Sequence, residues 1–207
     1  ESGTVPELAG QAQFVGSADC KDCHLPEWES WEGSHHDLAM QVADKSTILG
    51  DFDDATFTYN GVTTRFYRKG DKFLVQTDGE DGKLTEFTVD YVFGVYPLQQ
   101  YLLPLDNGRL QALSVAWDTR PQNEGGQRWF DLRPGESNAP GDVLHWTGPA
   151  YNWNTMCAEC HSTNYQKQFE VPQSHTKLVG LSENTGSTES MAETIQRACA
   201  IPASRSI

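Results

Sequence analysis

The sequence predicts an α+β chain in which an antiparallel β-meander is inserted between two haem-binding, helix/loop segments. Three observations lead there. The pattern Cys-x-x-Cys-His occurs at Cys20, Cys23 and His24, and again at Cys157, Cys160 and His161. Between the copies, residues 55–133 alternate aromatic and β-branched residues, with Asn-Gly and Gly-Asp turns between the runs, which is the pattern of hairpins. Behind Pro26 and Glu27, the residues Trp28, Trp31, His35 and Leu38 recur at helical spacing.

Five stretches follow from this. Residues 1–19, with Gly, Ser and Pro and little periodicity, read as an extended lead-in. Residues 20–50 hold the first motif and its helix. Residues 51–133 are the β domain, with roughly five to seven strands. Its runs are TFTYN and VTTRFYR around Asn60-Gly61, FLVQT after Lys69-Gly70-Asp71, and LTEFTVDYVFGV after the turn at 79–83. QYLLPL and RLQALSVAW flank Asp106-Asn107-Gly108, and NEGGQRWFDL supplies a last strand. Residues 134–170 are turn-rich and carry the second motif. Residues 171–207 are weakly patterned, with a short helix over SMAETIQRACA.

Composition narrows the function classes. The formal net charge of −14 disfavours nucleic acid and anionic membrane surfaces as partners, since both repel it. It suits redox partner proteins with basic docking surfaces. No run of 18 apolar residues exists, so no helical membrane span is expected. The chain opens on Glu1 rather than Met, which reads as a mature form after removal of a signal peptide and places it in the periplasm or outside the cell.

Cys-x-x-Cys-His has a defined chemical use. Two thiols add across the vinyl groups of haem, and the adjacent imidazole becomes the proximal iron ligand. An all-cysteine zinc site, a redox dithiol or structural disulfides would each explain paired cysteines. None explains a histidine after both pairs. The expected cofactor is therefore haem c, two per chain and covalently attached, at Cys20, Cys23 and His24 and at Cys157, Cys160 and His161.

The remaining histidines are His35, His36, His145 and His175, and the thioether competitors are Met40, Met156 and Met191. With His24 and His161 as proximal ligands, His35, His36 and His145 are the expected distal ligands, giving bis-histidine irons of lower potential than His/Met sites. The tandem His35-His36 points its rings about 100° apart on a helix, which suits either two different irons or one ligating ring with the other packed. His175 lies in the weakly patterned tail. Met156 directly precedes Cys157 and is poorly placed to reach the opposite haem face. Trp28, Trp31, Trp146 and Trp153 stand near the motifs as aromatic walls for porphyrin, or as ordinary core.

The stretches SADCKDCHLPEWESWEGSHHDLAM, VFGVYPLQQYLLPLDNGRLQALSVAWDTRPQNEGGQRWF and LHWTGPAYNWNTMCAECHSTN resemble the N-terminal haem region of bacterial multihaem c-type cytochromes. Such proteins often carry three Cys-x-x-Cys-His sites and continue into tetratricopeptide repeats. The resemblance runs over about residues 14–168 and implies electron transfer outside the cytoplasm. The family's third site has only a degenerate counterpart here, around Cys199, which keeps one cysteine and lacks the histidine. A third haem is accordingly not expected, and one distal histidine is spare, for packing or for a haem in a neighbouring copy.

Three functions compete on this evidence. The first is an electron carrier with six-coordinate haems, in a sharper form a subunit of an extracellular cytochrome filament. The second is a haem enzyme, a peroxidase or an oxyanion reductase, which needs one open iron and cationic groups around it. Arg65, Arg68 and Lys69 belong instead to a hairpin face, so no catalytic residues are assigned. The third is a sensory module reporting redox state or a bound gas, for which no residue speaks.

Overall fold

The computed structural model describes residues 17–136 and 138–161. The lead-in and the tail beyond residue 161, with His175, Met191 and Cys199, lie outside the described residues. Ten strands form two antiparallel sheets. The four-stranded sheet runs β2 (Ala55–Tyr59), β3 (Val62–Lys69), β4 (Lys72–Asp78) and β5 (Leu84–Thr88) in that order. The other runs β1 (Met40–Val42), β6 (Tyr91–Phe93), β7 (Leu98–Leu105), β9 (Val115–Asp118) and β10 (Arg128–Asp131), with β8 (Arg109–Ala112) also on β7. The described helices are short: α1 (Leu25–Trp31), α2 (Trp153–Met156) and α3 (Ala158–His161).

This corrects the expected α+β meander. The described chain is mainly β, in two sheets, and helix/loop segments flanking a single meander are not seen. The helix foreseen through Leu38 stops at Trp31, and Gly33 follows with a φ of 71°, a left-handed conformation that glycine adopts without Cβ strain. The chain then enters β1, whose Met40 pairs with Phe93 of β6. The run LTEFTVDYVFGV is not one strand. Val89 still donates its N–H to Phe73 of β4, whereas Asp90 donates to Leu102 of β7, so the chain changes sheets between neighbouring residues. RLQALSVAW likewise divides into β8 and β9, which pair with opposite ends of β7.

The hairpin at Asn60-Gly61 forms where the sequence places it. Both residues have positive φ, 46° and 80°, as the tight turn between β2 and β3 requires.

Strand periodicity organises the core. On β6 and β7, Val92, Tyr101 and Leu103 face the four-stranded sheet, where they meet Phe52, Phe66, Phe73 and Val75. Phe66 and Trp129 stack at 3.5 Å, and Phe52 packs edge-on against both rings. The alternate residues Tyr91, Leu102, Leu110 and Ala112 form a second apolar cluster with Met40, Tyr151, Trp153 and Ala158. The six-stranded sheet is thus buried on both faces. Its outer face receives residues from the ends of both motif-bearing segments.

Candidate functional site

Each motif is built as one helical turn. In the first, the 3-10 turn Ser17–Cys20 leads into His24, the residue that caps α1. The His24 N–H donates to the Cys20 carbonyl at 2.9 Å, and the Cys23 N–H donates to the same oxygen at 3.3 Å. In the second, α2 precedes Cys157, and the His161 N–H donates to the Cys157 carbonyl at 3.1 Å. Both motifs therefore stack the first cysteine and the histidine four residues apart on one turn. Residues spaced i, i+3 and i+4 on such a turn share one side of the helix.

The two sites sit differently on the body. Cys23 and His24 are exposed, Cys20 is half-buried, and neither cysteine is in a disulfide among the described residues. Helix α1 has no buried residue, and the indole nitrogens of Trp28 and Trp31 are shielded from solvent without a hydrogen-bond partner. Their rings contact each other at 5.4 Å, and Lys21 lies over Trp28. An apolar pair that finds no core of its own, beside two thiols and an imidazole, fits a large flat apolar prosthetic group. The residues that would hold it are Cys20, Cys23 and His24.

The second motif is anchored to the sheet. Ala158 and Trp153 are buried, Cys157 is half-buried, and His161 is exposed. The rings of Trp153 and His161 meet at 5.6 Å. Asn152 caps α2 by accepting the Thr155 N–H, and donates its amide to Gln111 Oε1 at 2.8 Å. Gln111 in turn donates to the carbonyls of Trp146 and Gly148. Asn154 accepts the Leu110 N–H at 2.7 Å. These amides stitch the segment before Cys157 to edge strand β8. Sequence reasoning missed Gln111, Asn152 and Asn154 as positioning residues; the Asn-x-x-Thr cap signal at Asn152–Thr155 was the readable trace.

The candidate distal ligands fall in two environments. His35 and His36 are exposed, lie in the turn after α1, and their rings have no hydrogen-bond partner among the described residues; the His35 ring lies 6.1 Å from that of Tyr96. His145 is buried. Its Nδ1 accepts from the Thr147 N–H and meets the Thr147 hydroxyl at 2.7 Å, while Nε2 faces Asp78 Oδ2 at 2.9 Å. Binding an iron would require one of those bonds to open. Burial, the largest single influence, pushes the Asp78 carboxyl up, but the hydrogen bond and electrostatic attraction of His145, with the Thr77 and backbone hydrogen bonds, together outweigh it and hold the group below the usual carboxylate range. Of the two methionines described, Met40 is buried in the outer cluster and Met156 is exposed. Trp146 packs between the sheets on Phe87 and donates to the Asp78 carbonyl, so it is core.

The model of the family described as cytochrome c554 and c-prime matches residues 19–55, which contain the whole first motif, α1 and the tandem histidines. The match supports a c-type cytochrome. A c-type cytochrome carries haem c by thioether bonds, and its work is electron transfer. No curated protein and no solved structure matches the chain. Among the described residues, no helix is long and apolar enough to cross a membrane.

Proposed function

We propose that the chain is a dihaem c-type cytochrome that carries electrons outside the cytoplasm through bis-histidine haems. The observation that carries this reading is the shared backbone turn: His24 to Cys20 and His161 to Cys157 repeat one hydrogen bond at two places in the chain. A second support is that the ends of both motif segments meet in one apolar cluster, through Met40 on one side and Trp153 and Ala158 on the other. When bound, haem c supplies reversible one-electron exchange between ferric and ferrous iron. Cys20, Cys23, Cys157 and Cys160 tether the two groups, and His24 and His161 hold their proximal sides.

His35 and His36 are the favoured distal ligands, because their rings are exposed and carry no hydrogen bond, whereas both nitrogens of His145 are engaged. If one tandem ring is spare, it is available to a second copy, which is the form a filament of this chain takes. The partner in this reading is a basic redox protein. Asp19, Asp22, Glu27, Glu29, Glu32 and Asp37 surround the first motif without an ion-pair partner among the described residues, while the cations of the β body are largely paired with acids.

A pyridine haemochrome assay with low-temperature EPR of the oxidised protein tests the reading. Two haems per chain with low-spin signals alone are expected. A count of one haem overturns the dihaem assignment. A high-spin signal from an appreciable share of the iron overturns the bis-histidine assignment and brings a haem enzyme forward.

A further inference from the structure

We propose that Trp153 is the positioning residue of the second haem site, coupling the His161 imidazole to strand β6 so that the sheet sets the plane of that iron ligand. The inference rests on the reading above that His161 ligates iron.

Four observations carry it. Trp153 is 4% exposed although the histidine it touches is exposed, so it is the fixed member of the pair. Its ring lies 5.6 Å from that of His161 at an interplanar angle of 43°, and 5.2 Å from that of Phe93 at 53°, both within the range of favourable aromatic contacts. Phe93 is itself held in the sheet, paired with Met40 on one side and Gln100 on the other. The Trp153 carbonyl accepts the Cys157 N–H at 3.0 Å, so the same residue also supports the turn that carries the motif.

Among the described residues, no hydrogen bond and no other ring contact holds the side chain of His161. Without Trp153, the imidazole plane would be set by its own rotamer preference alone. Outer-shell partners that orient an imidazole tune the iron it binds, and orientation is a lever separate from ligand identity. Among the described residues, the first motif has no counterpart. Gly16 stands at the equivalent position, four residues before Cys20, and the described residues offer His24 no ring contact. The two sites are thus inequivalent, and a change at Trp153 acts on one iron.

The test uses the full, haem-loaded chain. Haem count on the unmodified protein comes first and decides the dihaem reading by itself; absence of haem at Cys157 and Cys160, read by peptide mass, overturns the present inference as well. W153L, W153F, F93L and W146F are then compared by EPR and by spectroelectrochemical titration. The signal of the second haem is identified as the one missing in C157S/C160S. W153L is expected to keep both haems while shifting the EPR signal and the potential of the second haem only. W153F, which keeps a ring at the contact, is expected to restore both. W146F removes a buried indole elsewhere, and should lower the melting temperature with both signals in place. Unchanged signals in W153L, or a shift of both haems alike, overturn the proposal. If W153L does not accumulate, F93L removes the support behind Trp153 and is read by the same criterion.

Discussion

The Nε2 of His145 lies 2.9 Å from Oδ2 of Asp78 in the protein interior, joining the turn before the second motif to the end of strand β4. The bond has neighbours on both sides. The Thr77 hydroxyl donates to Asp78 Oδ1, and the Trp146 indole donates to the Asp78 carbonyl at 2.8 Å. The Thr147 N–H donates to Nδ1 of His145, which leaves the ring proton on Nε2 for the carboxylate. The buried carboxylate thus takes one donor from the segment that leads to the second motif and one from its own strand.

Removing His145 leaves Oδ2 of Asp78 without its donor. H145A is expected to cost about 2–3 kcal/mol, the range for leaving a buried charged acceptor unpaired. Asp78 has a folded-state pKa below its ordinary value of 3.8, so its contribution is present above that value and is lost as pH falls through the lower folded value. Thermal melts from pH 7 to pH 2 should show a larger acid loss in the parent than in D78N, because the other lowered carboxylates such as Asp118 and Asp44 titrate in both, with D78N already less stable at pH 7. Identical acid profiles for the two proteins would sink this account.

The alkaline limb follows from three buried tyrosines. Tyr67 is pushed up to about 12, first by burial and then by its hydrogen bond to Glu86. Tyr91 is pushed up to about 12 by burial and by the charge of Asp90, and burial raises Tyr101 further. A raised folded pKa means that this stability is full below the ordinary value of 10 and is lost as pH rises through the folded value. Tyrosinate absorbance should therefore appear late for these residues, together with loss of the β signal in circular dichroism. A single ionisation step of all tyrosines near pH 10 with the fold intact contradicts this.

Asn152 is asked to do two things, capping α2 and tying it to Gln111. N152A removes the cap, at about 1 kcal/mol, and leaves Gln111 Oε1 without its donor in a buried position, at about 1 kcal/mol more. Urea unfolding should show a loss near 2 kcal/mol. A loss below about 0.5 kcal/mol would show that the stitch between β8 and the second motif is dispensable.

Gly50 has no room for a methyl group. A Cβ there would overlap the Tyr101 hydroxyl and lie 2.7 Å from Cη2 of Trp129, in the aromatic centre between the sheets. G50A is expected to destabilise by about 1–3 kcal/mol, the usual cost of overpacking. A melting temperature equal to that of the parent would refute the close approach.

The hairpin between β2 and β3 and the strand content of residues 55–131 were legible in the chain, because Asn60-Gly61 and period-2 alternation are local signals. The change of sheet at Val89–Asp90 was not. Both residues sit in one apolar alternation, and only the position of their acceptors, Phe73 and Leu102, separates the two sheets. The strand Met40–Val42 was hidden for a similar reason: three residues carry no periodicity, and β6 recruits them.

At the site, the two Cys-x-x-Cys-His runs were legible because a motif of fixed local spacing is a property of sequence. The amide network of Gln111, Asn152 and Asn154 was not, since its partners lie about forty residues apart. His145 shows the same division: its scarcity made it a ligand candidate, but the hydrogen bond to Asp78 spans 67 residues. The amino-acid sequence by itself determined the spacing of the two motifs, the Asn60-Gly61 turn and the alternation of the strands, which are short-range consequences of residue type. Only the tertiary structure decided which sheet each strand joins, what the buried polar groups pair with, and that Trp153 stands against His161, because those depend on contacts between residues far apart in the chain.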